Sequence, residues 1–142
     1  MKYQRRIDDP SCILCNRRLP ITSFYTKVAG GSAIDWRCKE CSAKRRREIY
    51  IKKRKDVFDH YGWECKCCGE TESAFLTIDH IDSNGAKQRR KHGACQVDWI
   101  IRLGFPEGLQ TLCYNCNCAK QYNKGCPHQL KKGVQEVLIA DY

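Results

Sequence analysis

Long apolar runs are missing from this chain. Nowhere do 18 apolar residues follow one another, which excludes a membrane-spanning helix. The N-terminal stretch MKYQRRIDDP carries no apolar segment of the kind a secretory signal needs, so a signal peptide is not expected. Acidic residues are scarce as well: 16 Asp and Glu stand against 26 Lys and Arg, a formal charge of +10. A composition that basic suits a polyanionic partner, most often nucleic acid. With 142 residues the chain makes one domain or two very small ones, and small cores of this kind often need a covalent or metal staple.

Cysteine is what the chain has in excess, twelve in all. Without a signal peptide the expected compartment is reducing and cytoplasmic, where clustered cysteines bind metal rather than form disulfides. Cys12 and Cys15 are followed after 22 residues by Cys38 and Cys41, and Cys65 and Cys68 after 44 residues by Cys113 and Cys116. Each Cys-x-x-Cys pair is half of a tetrahedral zinc site, because two intervening residues make a tight turn that aims both sulfurs inward. Gly69 and Asn16, directly after two of the pairs, suit the positive φ such a turn asks for. Two structural zinc ions are therefore expected. Each four-thiolate site carries −2, so the pair lowers the charge from +10 to about +6, still basic. The alternative, redox-active thiols, lacks a thioredoxin-like βαβ context.

Between the two sites, eight of the twelve residues from Lys44 to Lys55 are Lys or Arg. The stretch has no Gly or Pro, and predicts a basic helix over about 40–59. Like charges one turn apart destabilise an isolated helix, so their clustering is best explained by phosphate contacts from Lys44, Arg45, Arg46, Arg47, Lys52, Lys53, Arg54 and Lys55. The bland alternatives are a solvated face and a nuclear-localisation-like patch. SAFLTIDH reads as a strand, VDWIIRLGFP as a short helix, GLQTLC as a second strand and NCNCAKQYNK as the start of another helix. Leu130, Val134, Val137 and Leu138 recur at helical spacing in the tail. The segment between His80 and Leu109, with KQRRKHG inside it, reads as a long loop. Trp36, Trp63 and Trp99 are expected in the core, and His60 as a capping or surface residue. Of the remaining cysteines, Cys95 with His92 and Cys126 with His128 form a candidate third zinc site.

The order Cys-x-x-Cys, strand, Asp79-His80, strand, Cys-x-x-Cys, then Asn117 on a helix resembles the HNH endonucleases, specifically the ββα-metal nucleases with a four-cysteine zinc site. The resemblance covers roughly 62–128, and GFPEGLQTLCYNCNCAK looks like HNH proteins of phages and bacteria. It implies a ββα-metal core with a C-terminal helix (61–142), and together with the N-terminal cysteine pairs and the basic run gives the expected small α+β organisation: an N-terminal zinc ribbon (1–42), a basic DNA-contacting helix (43–60), then that core. It implies His80 as general base, and Asp79 and Asn117 as ligands of one Mg2+ or Mn2+ that stabilises the departing 3′ oxygen. The residue chemistry agrees. An imidazole titrates near neutrality, and a carboxylate and an amide carbonyl are hard oxygen donors. Arg89 and Arg90 are candidates to grip the scissile phosphate. The family's last histidine is Asn117 here. Its central asparagine is replaced by Gly108, with Asn84 and Asn115 both candidates for the positioning role.

The expected function is metal-dependent cleavage of double-stranded DNA in a bacterial or phage-infected cell, of the restriction or homing type. One core cuts one strand, so a double-strand cut calls for two copies, and a homodimer is expected. The alternatives are a junction-resolving nuclease and a non-catalytic zinc-ribbon DNA-binding protein.

Overall fold

The computed structural model describes residues 9–31, 33–93, 95–123 and 125–129. The tail pattern at Leu130, Val134, Val137 and Leu138 lies outside the described residues. The fold is a small α+β arrangement with two separate two-stranded antiparallel sheets and helices. The chain divides into two compact units, Met1–Ile51 and Lys52–Tyr142. Among the described residues, no helix is long and apolar enough to cross a membrane.

In the first unit, β1 (Phe24–Thr26) pairs with β2 (Ile34–Cys38), with an irregular register between Phe24 and Thr26. Before them, an isolated bridge from Ser11 to Arg18 closes the turn that holds Cys12 and Cys15. Inside that turn the Asn16 amide donates to the Cys12 carbonyl at 2.8 Å, and Asn16 has φ +55°. Among the described residues the core of this unit is Cys12, Phe24, Ile34 and Cys38, with Cys15, Leu19 and Cys41 against it. Two aliphatic or aromatic side chains buried beside cysteines remove too little apolar surface to hold a fold unaided.

α1 runs over Lys39–Tyr61, close to the predicted 40–59. Its buried residues are Val57 and Phe58, near its C-terminal end. The rest has no apolar stripe, being dominated by nine Lys and Arg residues. Gly62 ends it with φ +98°, its amide donating back to the Phe58 carbonyl at 2.8 Å, a left-handed stop that glycine makes without strain.

In the second unit, β3 (Leu76–His80) pairs antiparallel with β4 (Leu109–Cys113) in unbroken register from Leu76 opposite Cys113 to His80 opposite Leu109. α4 (Tyr114–Tyr122) starts directly after β4, with the Cys113 sulfur accepting from the Cys116 amide at 3.4 Å in the manner of a cap. The core packs Val57, Phe58, Leu76, Ile78, Trp99, Ile100 and Leu112 against a wall of buried cysteines.

Between the strands, the KQRRKHG segment departs from the expected loop and folds as α2 (Gly85–His92). The short helix expected over VDWIIRLGFP is present as α3 (Gln96–Arg102), which supplies Val97, Trp99 and Ile100 to the core. α2 buries nothing, so its residues GAKQRRKH carry no apolar period to betray a helix. Two tryptophans also depart from expectation: Trp36 and Trp63 are 43% and 38% exposed, whereas Trp99 is buried. Trp63 lies on the Phe58 ring (centroids 5.0 Å apart) and donates to Asp59 at 2.9 Å, so its polar edge keeps it at the surface.

Candidate functional site

Two of the cysteine groups read from the sequence come together. The sulfurs of Cys12, Cys15, Cys38 and Cys41 lie within 4.8 Å of one another, and so do those of Cys65, Cys68, Cys113 and Cys116. Both have the composition and closeness of a four-thiolate zinc site. The second group repeats the turn of the first: the Gly69 amide donates to the Cys65 carbonyl at 3.0 Å, with Gly69 at φ +80°. A third group joins Cys67, Cys126 and His128 to Cys116. That pairing corrects the expected partnership of Cys126 and His128 with His92 and Cys95. His92 stacks on Trp99 at 5.7 Å, and Cys95 sits at the start of α3.

The thiols themselves argue for a cation. Backbone amides, foremost that of Cys38, hold the Cys12 thiol down to about 6. Burial raises the Cys65 thiol, but amides of Cys68, Cys113 and Cys67 outweigh it and bring it to about 7. Their neighbours go the other way. Cys41 is pushed up to about 12, first by its contact with Cys38, and Cys116 is pushed up by burial and by the thiols around it. Each cluster thus favours some thiolates but resists a full set, unless a positive ion compensates the crowded charge.

The second feature is a cavity of 280 Å³ at the end of the β3–β4 sheet. Asp79 and His80 reach it from the last residues of β3, Asn117 from the first turn of α4, and Arg89 from α2. The sheet and α4 therefore bring together the three residues singled out in the sequence, from positions 37 residues apart in the chain. Arg90 lies on the same helix as Arg89 but does not line the cavity. Asp79 and His80 are both 9% exposed.

Two residues that sequence reasoning missed control Asp79. Gln110, opposite it in the register, donates to Oδ2 at 3.0 Å. Lys120, one turn after Asn117 on α4, puts its ammonium 2.7 Å from the same oxygen. Lys120 also donates to the carbonyls of His80 (2.6 Å) and Ile81 (2.9 Å), so it fastens α4 to the end of β3. The only signal in the sequence was the spacing of three from Asn117, which puts both on one helix face.

His80 is confined by Trp99 on one side and Gly85 on another. Its ring lies 5.7 Å from that of Trp99. Gly85, the first residue of α2, leaves it room: a β-carbon there would stand 2.9 Å from Nδ1. Its Nε2 is buried and has no hydrogen-bond partner among the described residues. The turn that follows holds Ser83 at φ +56°, its amide donating to the His80 carbonyl at 3.1 Å, a strained backbone of the kind that collects at functional sites. Neither candidate for the central asparagine is seen holding the ring: Asn84 sits at the start of α2, and Asn115 is exposed on α4. Gly108 accepts the Ile81 amide through its carbonyl at 2.9 Å.

Burial holds the His80 pKa below the ordinary 6.5. Asp79 opposes this, while Arg89 and Lys120 add to it. The imidazole is therefore neutral at pH 7 and able to accept a proton. The depressed value also fixes a direction for stability. Above pH 6.5 the group is neutral in folded and unfolded chains alike and contributes no pH dependence. Below 6.5 the unfolded chain protonates first, so folding loses stability until the lower, folded value is passed. Melting temperature should fall on acidification through this window, and the fall should shrink in His80→Gln. An unchanged acid response in that variant would contradict the buried, neutral imidazole.

Gly85 provides a second expected result. Alanine there restores helix propensity but forces the imidazole to move, since the new carbon meets Nδ1 at 2.9 Å and Cε1 at 3.3 Å. If the ring is a reacting group, a displacement of about 1 Å costs on the order of 10²-fold in rate. Gly85→Ala should therefore lose activity with a cooperative melt retained. Full activity would show that the ring needs no such placement.

The basic residues of α1 separate into two kinds. Lys44, Arg45, Arg47 and Lys52 are exposed and make no hydrogen bond or ion pair among the described residues. The others have protein partners. Arg46 lies against the Tyr25 ring, and Lys53 pairs with Asp98 at 2.7 Å. Arg54 donates to the carbonyls of Ser73 and Leu76, and Lys55 pairs with Asp59. Comparison with family models, with curated proteins and with solved structures returns no match.

Proposed function

We propose that the chain is a metal-dependent DNA endonuclease of the HNH, ββα-metal kind, built on zinc-stapled scaffolds. The observation that carries this reading is the shared cavity of Asp79, His80 and Asn117, with Arg89 at its side. The donor set suits a hard divalent ion. Asp79 Oδ1 and the Asn117 amide make no hydrogen bond among the described residues, and Mg2+ is commonly held by one or two such oxygens plus substrate phosphate. Bound there, Mg2+ or Mn2+ would supply positive charge to the phosphate and to the departing 3′ oxygen.

The residues of the chain do the rest. His80 takes a proton from water through its neutral imidazole. The water oxygen bonds to phosphorus as the bond from phosphorus to the 3′ oxygen breaks, and the departing 3′ oxygen takes a proton from solvent water, leaving a 5′-phosphate and a 3′-hydroxyl. Trp99 and Gly85 keep the ring in place, and Gln110 holds the Asp79 carboxylate. Arg89 offers a guanidinium to the phosphate. Lys44, Arg45, Arg47 and Lys52 are the α1 residues we assign to the DNA backbone, where contacts give affinity without sequence choice. Replacing these four with alanine should flatten the dependence of log affinity on log salt by about 3.6, at roughly 0.9 per phosphate contact. A slope unchanged in the quadruple variant would remove α1 from the interface.

One observation favours a second reading, a zinc-containing DNA-binding protein without activity: Lys120 already gives Asp79 a cation. Incubation of supercoiled plasmid with Mg2+ or Mn2+ separates the two. Nicked or linear plasmid, absent when the divalent ion is withheld, is the result expected of the nuclease. Plasmid that stays intact at protein concentrations that shift it fully on a gel would leave the binding reading in its place.

A further inference from the structure

Cysteines 65, 68, 113 and 116 account for one zinc, and the residues around them hold ligands for more. Cys67 lies between two of those cysteines in the turn, and Cys126 and His128 follow α4. Cys67, Cys126 and His128 place their ligand atoms within 4.8 Å of one another and of the Cys116 sulfur. Cys116 is thus the single residue common to two complete four-ligand groups. We propose that the Cys116 sulfur bridges two zinc ions, one held by Cys65, Cys68 and Cys113 and the other by Cys67, Cys126 and His128.

The spacings fit two tetrahedra that share a corner. With Zn–S near 2.3 Å and Zn–N near 2.0 Å, tetrahedral edges are about 3.8 Å between sulfurs and about 3.5 Å between sulfur and nitrogen. Cys68 and Cys113 sulfurs are 3.7 Å apart, on the first ion's side. On the second, His128 Nδ1 lies 3.4 Å from the Cys116 sulfur and 3.4 Å from the Cys126 sulfur. One nitrogen equidistant from two sulfurs is the corner of a coordination polyhedron. A single S–H···N hydrogen bond would favour one sulfur over the other. A histidine as fourth ligand is within the ordinary range of structural zinc sites.

Charge and chain connectivity agree with this arrangement. A lone four-thiolate site carries −2. The second ion adds +2 and the thiolates of Cys67 and Cys126 add −2, so the shared cluster stays at −2 while six sulfurs are compensated, those of Cys65, Cys67, Cys113, Cys116 and Cys126 on buried residues. Buried thiolates left without that ion would be costly. The second ion also ties the segment after α4 to the Cys65–Cys68 turn, where Cys67 and Cys126 are both in the core. It is a structural ion, since four protein ligands leave no open position.

The proposal is independent of the nuclease reading, because its readouts count metal and involve no cleavage. The full chain is reconstituted with excess zinc, desalted and weighed by native mass spectrometry. Three zinc ions per chain are expected: one for Cys12, Cys15, Cys38 and Cys41, and two for the shared cluster. The double variant Cys126→Ser/His128→Ala should hold two. Should that variant fail to fold, cadmium-113 NMR of the unaltered chain decides. Two resonances coupled to each other through the shared sulfur, and a third uncoupled, are expected. Two zinc ions in the unaltered chain, three in the double variant, or three cadmium resonances without mutual coupling would each overturn the bridge.

Discussion

His80→Ala is expected to shift plasmid as the unaltered chain does while cutting it about 10²–10⁴ times more slowly, the usual contribution of a general base. The expectation follows from where the ring sits. The imidazole is 9% exposed, its Nε2 has no protein partner among the described residues, and burial keeps it neutral. A buried polar nitrogen left unpaired costs free energy, so its retention beside a cavity points to a group reserved for substrate or water. Binding should survive because the exposed basic residues of α1, not His80, are assigned to the backbone. Parallel gel-shift and plasmid-nicking assays on the two proteins measure both effects. Equal cleavage by the variant would remove His80 from the chemistry and leave the cavity without its base.

The other large effect concerns the scaffold. Cys113→Ser should lose the zinc of its cluster and unfold the second unit. Cys113 ends β4, caps α4 through its sulfur, and faces Cys68 at 3.7 Å. Structural zinc contributes about 10–16 kcal/mol in small metal-dependent domains, against a net stability of about 5–15 kcal/mol for a typical domain. Loss of the ion therefore outweighs everything else holding so small a core. Circular dichroism melts with zinc analysis by mass spectrometry follow both quantities. A variant that keeps the full zinc content and a cooperative melt would show that Cys113 is not a ligand.

Some of this molecule was legible in its sequence because the information was local. Each Cys-x-x-Cys turn is decided within five residues, and Asn16 and Gly69 take the positive φ that their chemistry suggested. β3 and β4 announced themselves through apolar and β-branched residues, and α4 through the stretch that opens at NCNCAK and stops before Gly125 and Pro127. α1 followed from a run free of Gly and Pro. α2 did not, since a helix that buries nothing has no hydrophobic period to read, and its charges look like those of a loop.

What escaped depends on contacts between distant segments. Lys120 reaches Asp79 across 40 intervening residues, and Gln110 meets it only once the sheet register is set. Cys67 was hidden by the neighbouring cysteines of its own turn, and its partners Cys126 and His128 were assigned to the wrong histidine and cysteine. Trp36 and Trp63 looked like core because large apolar residues are few. Buried cysteines and Trp99 fill that volume instead.

Asp79 and Asn117 are proposed to give oxygen to one divalent ion beside His80. Titration of the zinc-loaded chain with Mn2+, followed by electron paramagnetic resonance, tests it most directly, since Mn2+ prefers oxygen donors and leaves thiolate sites to zinc. One Mn2+ per chain is expected, bound at least tenfold more weakly after Asp79→Asn or Asn117→Ala and about as tightly after His80→Ala. Identical Mn2+ binding by all four proteins, or none by the unaltered chain in the presence of DNA, would contradict the account.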